Sequence, residues 1–207
     1  MSPAHLHHRE LDDPSAFSGL LGLASGLSMT VGRGTAARFV ADLAELSADD
    51  RVVDVGCGPG TAVRVAARRA GSAVGVDPAP VMLRLARALT KGSVRARATY
   101  AEGTAEALPL PDGSVTVAWA LSSAHHWSDV ETGLGELRRV LAPGGRFFIV
   151  ERLSRPGARG HAAHGFTAAL SDEVIEAARS AGFSDVARSE HRPGRRQLVV
   201  VSGHRAP

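Results

Sequence analysis

The fold of this chain is decided by the stretch Val52-Val53-Asp54-Val55-Gly56-Cys57-Gly58-Pro59-Gly60, in which an apolar strand passes directly into a glycine-rich turn. Glycine has no side chain, so the backbone can turn sharply here and approach a bulky ligand closely. A helical pattern follows the turn, and free N–H groups at the start of a helix favour anionic or polar ligand groups. A strand, a glycine turn and a helix in this order indicate a ligand site at the end of the strand.

Strands and helices alternate on both sides of this turn. The predicted strands cover 51–55, 73–76, 98–102, 115–121, 145–151, 185–190 and 197–202. The predicted helices cover 35–45, 60–70, 80–89, 130–141 and 171–181, with Thr35 and Ser171 as caps of the first and the last. Parallel strands need crossover helices between them. The sequence therefore predicts an α/β fold, a doubly wound and mainly parallel seven-stranded sheet with an antiparallel last strand and helices on both faces.

An acidic residue, Asp77, ends the next predicted strand. Ligands of doubly wound sheets bind at the carboxyl ends of the strands, where a carboxylate can accept hydrogen bonds from both ribose hydroxyls of an adenosine-containing ligand. A dinucleotide fingerprint places its third glycine about three residues after the second. Here Gly60 follows Gly58 more closely, and Asp54 precedes the turn. The spacing therefore disfavours a nicotinamide-dependent oxidoreductase, which is the alternative from another enzyme class.

Two further motifs complete an ordered set of four. They are Gly103-Thr104-Ala105-Glu106-Ala107-Leu108-Pro109 and Glu136-Leu137-Arg138-Arg139-Val140-Leu141-Ala142-Pro143-Gly144-Gly145. With the glycine turn and the acid at the end of the second strand, this set resembles the class I, seven-strand Rossmann-like methyltransferases that use S-adenosylmethionine. The resemblance covers about Ala37 to Glu151 in sequence and the remainder by topology only. Four ordered motifs are a specific signal, although each is weak alone.

The resemblance implies S-adenosylmethionine as the cofactor and assigns its site. Asp54, Gly56 and Gly58 are expected around the methionine part of the cofactor, and Asp77 is expected at the ribose. Thr104 replaces the usual acid beside the adenine, where its hydroxyl can still hydrogen-bond the amino group without charge assistance. The expected cofactor-binding residues are Asp54, Gly56, Cys57, Gly58, Asp77, Pro78, Met82, Gly103, Thr104, Ala105 and Leu121. No metal is expected.

The candidate catalytic residues, His126 and His125, follow the strand 115–121. Methyl transfer requires a nucleophile held in line with the departing sulfur, and an imidazole with an ordinary pKa of about 6.5 can take its proton. His126 is preferred because a histidine before tryptophan is the commoner family pattern. Both residues could instead pack against the cofactor or the sheet. Glu151, with His161 and His164, follows the fifth strand, where these residues either face a substrate or belong to an exposed loop.

Composition limits the compartment and the partners. Cys57 is the sole cysteine of the 207 residues, which excludes an intrachain disulfide and suits a reducing cytosol. Its place in the glycine turn is explained by small size better than by thiolate chemistry. No apolar stretch is long enough to span a membrane, and no signal peptide is recognised. A cytoplasmic protein, monomeric or homodimeric, is expected, acting on a small molecule or on a peptide or carrier-bound substrate.

The chain is predicted to have two parts, and two alternative functions stay open. Residues 1–34 are predicted to be a flexible N-terminal arm and a possible lid, and 35–207 to be the S-adenosylmethionine-binding domain. The net charge of +3 indicates a basic surface rather than a nucleic-acid footprint, because no run interleaves basic and aromatic residues. The alternatives that stay open are an RNA methyltransferase and a non-methylating relative, which keeps the cofactor for its structure or promotes a cyclisation.

Overall fold

The computed structural model describes residues 33–155, 157, 165–194 and 197–207. Its helices are α1 (Arg33–Leu43), α2 (Thr61–Ala66), α3 (Pro80–Leu89), α4 (Val130–Val140) and α5 (Ala168–Ser180). Its strands are β1 (Arg51–Val55), β2 (Ser72–Asp77), β3 (Ala98–Glu102), β4 (Val115–Leu121), β5 (Leu141–Arg152), β6 (Phe183–His191) and β7 (Leu198–Arg205). Two short 3-10 segments lie at Gly92–Ala96 and Ala124–His126. The predicted arm and lid lie almost entirely outside the described residues, as do His161 and His164.

The seven strands form one sheet in the order β3-β2-β1-β4-β5-β7-β6. The pairs β3-β2, β2-β1, β1-β4 and β4-β5 are parallel, while β7 runs antiparallel to both of its neighbours, β5 and β6. The predicted α/β fold with an antiparallel last strand is confirmed. Since β1 leads to β2 on one side and lies beside β4 on the other, strand order reverses between β1 and β4. A ligand crevice is expected at such a switch point.

Hydrophobic side chains cover both faces of the sheet, as predicted. On one face α4 and α5 contribute buried residues such as Leu134, Leu137 and Val174. On the other face α1, α2 and α3 contribute residues such as Val40 and Val63. The central strand β4 is buried along nearly its whole length, which is typical of a parallel strand covered on both sides.

The predicted caps of the first and last helices were wrong. Thr167, not Ser171, caps α5, because its hydroxyl oxygen accepts from the Leu170 N–H at 3.1 Å. Ser171 lies inside the helix and donates its hydroxyl to the Thr167 carbonyl at 2.9 Å. Phe166 forms an isolated β-bridge with Leu153, so the chain is still extended immediately before Thr167. The helix is therefore capped by Thr167, the earlier of the two residues that could cap it. Thr35 likewise lies within α1, not at its cap.

A buried ion pair ties together the end of the sheet opposite the crevice. Asp50 is 6% exposed. Its carboxylate accepts from the Arg146 guanidinium at 2.9 and 3.1 Å, from the Ser47 N–H at 2.9 Å and from the Thr116 hydroxyl at 2.7 Å. Burial alone raises the pKa of this carboxyl, but the hydrogen bonds from Arg146, Ser47 and Thr116 and the Arg146 charge outweigh it. The pKa of Asp50 is therefore below its ordinary value.

Asp50→Asn is expected to lower the free energy of unfolding at pH 7 by roughly 1–3 kcal/mol, because the variant leaves the partly buried Arg146 guanidinium without its counter-charge. A lowered folded-state pKa stabilises the protein fully above the unfolded pKa of about 3.9 and stops doing so as pH falls through the folded value. The difference between wild type and variant should therefore shrink below about pH 4, as urea unfolding at several pH values can show. The exposed neighbour Asp49, changed to Asn, is the control, and a pH-independent difference would contradict this assignment.

Candidate functional site

A cleft with a volume of about 350 Å³ opens at the carboxyl ends of β1, β2 and β4. This volume lies within the range of about 300–1,000 Å³ that is typical of small-molecule sites. The cleft lies at the predicted switch point of the sheet. The residues that line it are Val55, Gly56, Gly58, Asp77, Pro78, Ala79, Met82, Gly103, Thr104, Ala105, Glu106, Ser122, Ser123, His126, Trp127 and Ser128.

The N–H groups of the glycine turn are bonded within the protein. Gly56 and Cys57 both donate to the Val76 carbonyl, at 2.8 and 3.0 Å. Gly58 donates to the Asp77 carboxylate at 2.7 Å. The free N–H groups were expected at the start of the following helix and not in the turn itself, so that expectation stays a prediction. A turn whose donors are already used by β2 and its terminal acid makes a poor phosphate site.

Asp77 is fixed at the cleft by backbone donors from two sides. One oxygen accepts from Gly58 as described, and the other accepts from the Ala79 N–H at 2.9 Å. The residue is only 8% exposed, so its carboxylate has little freedom to move. A carboxylate can accept roughly four hydrogen bonds, so one such group can serve several donors at once. The position predicted for ribose binding thus holds a preoriented acceptor.

The charge of the lining favours a cationic ligand. Among the described residues that line the cleft, Asp77 and Glu106 are acids, and none is lysine or arginine. Charged groups of one sign in a cleft concentrate ligands of the opposite sign. A cofactor with a pyrophosphate would meet two carboxylates and a turn without available donors. The charge of the cleft therefore disfavours a dinucleotide, which the spacing of the glycines disfavours independently.

Glu106, in the motif 103–109, joins two walls of the cleft. This role was not predicted from the sequence. One carboxylate oxygen accepts from the N–H and the hydroxyl of Ser128, at 2.7 and 2.9 Å, and from the Asp129 N–H at 3.2 Å. Burial raises the pKa of Glu106, but hydrogen bonds from its own N–H, Ser128, Asp129 and Thr104 together outweigh it, so the pKa is lowered. The segment after Trp127 is held against the motif 103–109 by this acid.

The expected cofactor residues divide into two groups. Eight of them line the cleft: Gly56, Gly58, Asp77, Pro78, Met82, Gly103, Thr104 and Ala105. Asp54, Cys57 and Leu121 do not, and each is less than one tenth exposed. Burial raises the pKa of the Cys57 thiol well above its ordinary range, since Cys57 packs under the turn toward Gly75. The side chain of Cys57 therefore belongs to the core, where small size is what matters.

The two candidate catalytic histidines occupy different positions. His126 lines the cleft, whereas His125 does not. The His125 Nδ1 lies 3.0 Å from the Glu151 carboxylate, and the rings of His125 and His126 are in tilted contact with centroids 4.0 Å apart. Glu151 is wholly buried within β5, so the expectation that it would face a substrate or an exposed loop was wrong. The pairing of Glu151 with Val199 of β7 is what places Glu151 inside the sheet.

No described helix is long and apolar enough to cross a membrane. The described residues bring together no group of three or more His, Cys, Asp and Glu side chains that could hold a metal ion.

Comparison with known proteins identifies the family. A model of the methyltransferase domain matches residues 53–149. The demethylmenaquinone methyltransferase of Thermus thermophilus is 39% identical over 117 residues, 55% of this chain and 52% of that protein. The 27-O-demethylrifamycin SV methyltransferase of Amycolatopsis mediterranei is 32% identical over 158 residues, 75% of this chain and 54% of that protein. The chain spans about half the length of the curated relatives it matches.

Solved structures share the fold described above. The S-adenosylmethionine-dependent methyltransferase of Aquifex aeolicus has a TM-score of 0.74 at 17% identity, covering 88% of this chain and 98% of that one. The [4+2]-cyclase SpnF has a TM-score of 0.71 at 21% identity, covering 84% of this chain and 81% of that one. Sheet order, motif order and the matched domain agree. The chain therefore contains a methyltransferase domain over residues 53–149, in the seven-strand Rossmann-like fold that it shares with class I S-adenosylmethionine-dependent methyltransferases.

Proposed function

We propose that this chain is a methyltransferase that moves the methyl group of S-adenosylmethionine to an O, N or C atom of a small molecule, in the cytoplasm. The observation that carries the proposal is the Asp77 carboxylate, held at the cleft by the glycine turn in a lining without lysine or arginine among the described residues. The names of the relatives above, which are methyltransferases of demethylmenaquinone and of a demethylrifamycin, support a small-molecule acceptor.

The residues of the cleft fit the cofactor of the family. S-adenosylmethionine supplies a methyl group activated on a positively charged sulfur, and the acidic lining suits that charge better than it suits a phosphate. Asp77 would accept from the ribose hydroxyls, while Gly56 and Gly58 would leave room for the methionine part. Thr104, in the motif 103–109, would contact the adenine.

His126 is the group that would take a proton from the acceptor. It is the histidine of the pair whose side chain lines the cleft, next to Ser123 and Trp127. Its segment is anchored at both ends, because Ser123 donates its hydroxyl to the Val55 carbonyl at 2.6 Å and Ser128 is bonded to Glu106. A backbone anchored in this way keeps His126 beside the cleft, where its imidazole can reach the reacting atom.

A non-methylating role is the second candidate, favoured by the similarity to a cyclase structure. It predicts cofactor binding without formation of S-adenosylhomocysteine. An RNA acceptor has no comparable support, since no described residue that lines the cleft is lysine or arginine, the side chains that neutralise phosphates.

Calorimetric titration with S-adenosylmethionine, S-adenosylhomocysteine and NADH tests the cofactor, and release of S-adenosylhomocysteine across a panel of phenols, amines and quinols tests the reaction. Binding of both sulfur compounds, absence of NADH binding and product release with at least one acceptor are expected. Absence of binding would overturn the methyltransferase proposal. Binding without product release under any acceptor would favour the non-methylating role.

His126→Ala is expected to lower turnover by about 100-fold or more, the usual contribution of a positioned acid or base. Affinity for S-adenosylhomocysteine should stay within about twofold, because the proton acceptor is not needed to hold the cofactor. His204→Ala, at an exposed position on β7, is the matched control and should leave both quantities unchanged. Turnover of the His126 variant equal to that of the control would remove the proton-accepting role.

A further inference from the structure

We propose that Glu151 is a positioning residue of the methyl-transfer site: it fixes the tautomer of His125 and the backbone before His126, so that His126 is held against the cleft. The inference rests on the function proposed above. Its starting observation is a wholly buried carboxylate in β5, between apolar residues such as Val150 and the loop that follows β4.

Within the described residues, the hydrogen bonds of the Glu151 carboxylate go to that loop. One oxygen accepts from the Ala124 N–H at 2.9 Å and, at 3.4 Å, from the His125 N–H. The other oxygen lies 3.0 Å from His125 Nδ1. Burial of an acid is costly unless its oxygens are hydrogen-bonded, and an apolar residue would serve the sheet better here. The acid is therefore explained by what it does to the loop, not by packing.

The contact with His125 determines which ring nitrogen carries the proton. An ionised carboxylate can only accept, so Nδ1 must be the donor and the neutral ring must be the Nδ1–H tautomer. The ring is only slightly exposed, at 14% of its side chain, and its orientation is set by this bond. A partner that fixes the orientation and tautomer of a histidine is a common device around reactive groups.

The ordered ring of His125 in turn restrains His126. The two ring planes are inclined by 44° with centroids 4.0 Å apart. The backbone of the short 3-10 segment is closed by the bond from the His126 N–H to the Ser123 carbonyl at 3.0 Å. The segment is also tied to β5 through the Ser122 N–H, which donates to the Val150 carbonyl at 2.8 Å. Glu151 thus acts through Ala124 and His125 on the residue that faces the cleft.

The test compares the wild type with Glu151→Gln, using Glu173→Gln on the exposed face of α5 as the matched control. Glutamine keeps an oxygen for the Ala124 N–H but places an amide donor opposite His125 Nδ1, which then has to accept. Nitrogen-15 NMR of the imidazoles at pH 8 should show His125 as the Nδ1–H tautomer in the wild type and control. It should show the Nε2–H tautomer in Glu151→Gln. Thermal unfolding of each variant verifies that it is folded.

Turnover and affinity provide the functional readout. Glu151→Gln is expected to lower kcat by about tenfold or more, while the affinity for S-adenosylhomocysteine stays within about twofold. Glu151→Asp, which keeps an acceptor, should retain the wild-type tautomer and recover part of kcat. Two outcomes would overturn the inference. One is an active wild type whose His125 is protonated only on Nε2, and the other is a Glu151→Gln variant whose kcat is undiminished. A wild type that binds the cofactor without turnover would instead overturn the proposed function, and the tautomer would still be measured.

Discussion

Asp77→Ala is expected to weaken binding of S-adenosylhomocysteine by at least about 100-fold, the largest effect on affinity that we predict, because hydrogen bonds to a charged group contribute about 1.5–3 kcal/mol each. Two losses combine in this variant. The ribose hydroxyls lose their proposed acceptor, and the N–H groups of Gly58 and Ala79 lose theirs. Isothermal titration of the purified variant measures the effect directly.

The control for Asp77 is Asp49→Asn, which removes an exposed carboxylate that lies outside the cleft. Asp77→Asn separates the two losses further. Its amide oxygen can still accept from one backbone N–H, so the turn should be better preserved while the charge is lost. Affinity of Asp77→Ala within about threefold of the wild type, a difference below 1 kcal/mol, would mean that Asp77 does not hold the ribose.

Gly56→Ala should be the most disruptive single-methyl change in the site. Gly56 has a φ of 72°, in the left-handed region, and an added Cβ would lie 2.4 Å from the Cβ of Ser123. The left-handed conformation costs a residue other than glycine about 1–2 kcal/mol, and overpacking adds about 1–3 kcal/mol. Ser123 must move away, which breaks its bond to Val55 at the cleft. We expect roughly 2–5 kcal/mol of destabilisation in urea unfolding and at least about tenfold weaker S-adenosylhomocysteine binding.

Gly92→Ala separates backbone strain from the clash. Gly92 has a φ of 64°, similar to that of Gly56, but an added Cβ there would meet nothing within 4 Å. This control should lose only the conformational part, about 1–2 kcal/mol, with unchanged cofactor affinity. Equal destabilisation of the two variants would show that Ser123 can move away from the added Cβ without a loss of stability. The close approach of Gly56 and Ser123 would then be unimportant.

The path of the backbone could be predicted from local patterns. The strand at Val115–Leu121 is apolar except for Thr116, and the helix at Pro80–Leu89 begins at a proline. Both have the predicted bounds. The glycine turn and Asp77 mark the carboxyl ends of neighbouring strands, which must meet at one edge of a parallel sheet. For this reason eight of the eleven residues expected at the cofactor lie together at the cleft.

The partners of the site residues could not be predicted in the same way. The bond between Glu151 and His125 depends on the pairing of β4 with β5, in which Leu121 lies opposite Val150. The sequence gives no measure of that register, so an acid after an apolar run was interpreted as leaving the sheet. The bond from Gly58 to Asp77 likewise joins the turn after β1 to the end of β2, a contact between segments that are far apart in the sequence.

The sequence by itself determined the class of the fold, the order of its elements and the position of the cofactor cleft, because hydrophobic period and glycine placement act within a few residues. Only the tertiary structure decided that Cys57 faces the core and His126 the cleft, that Glu106 joins two walls, and that Glu151 is buried. These properties come from packing and hydrogen bonds between segments far apart in the chain. Such contacts exist only once the register of the sheet has brought the segments together.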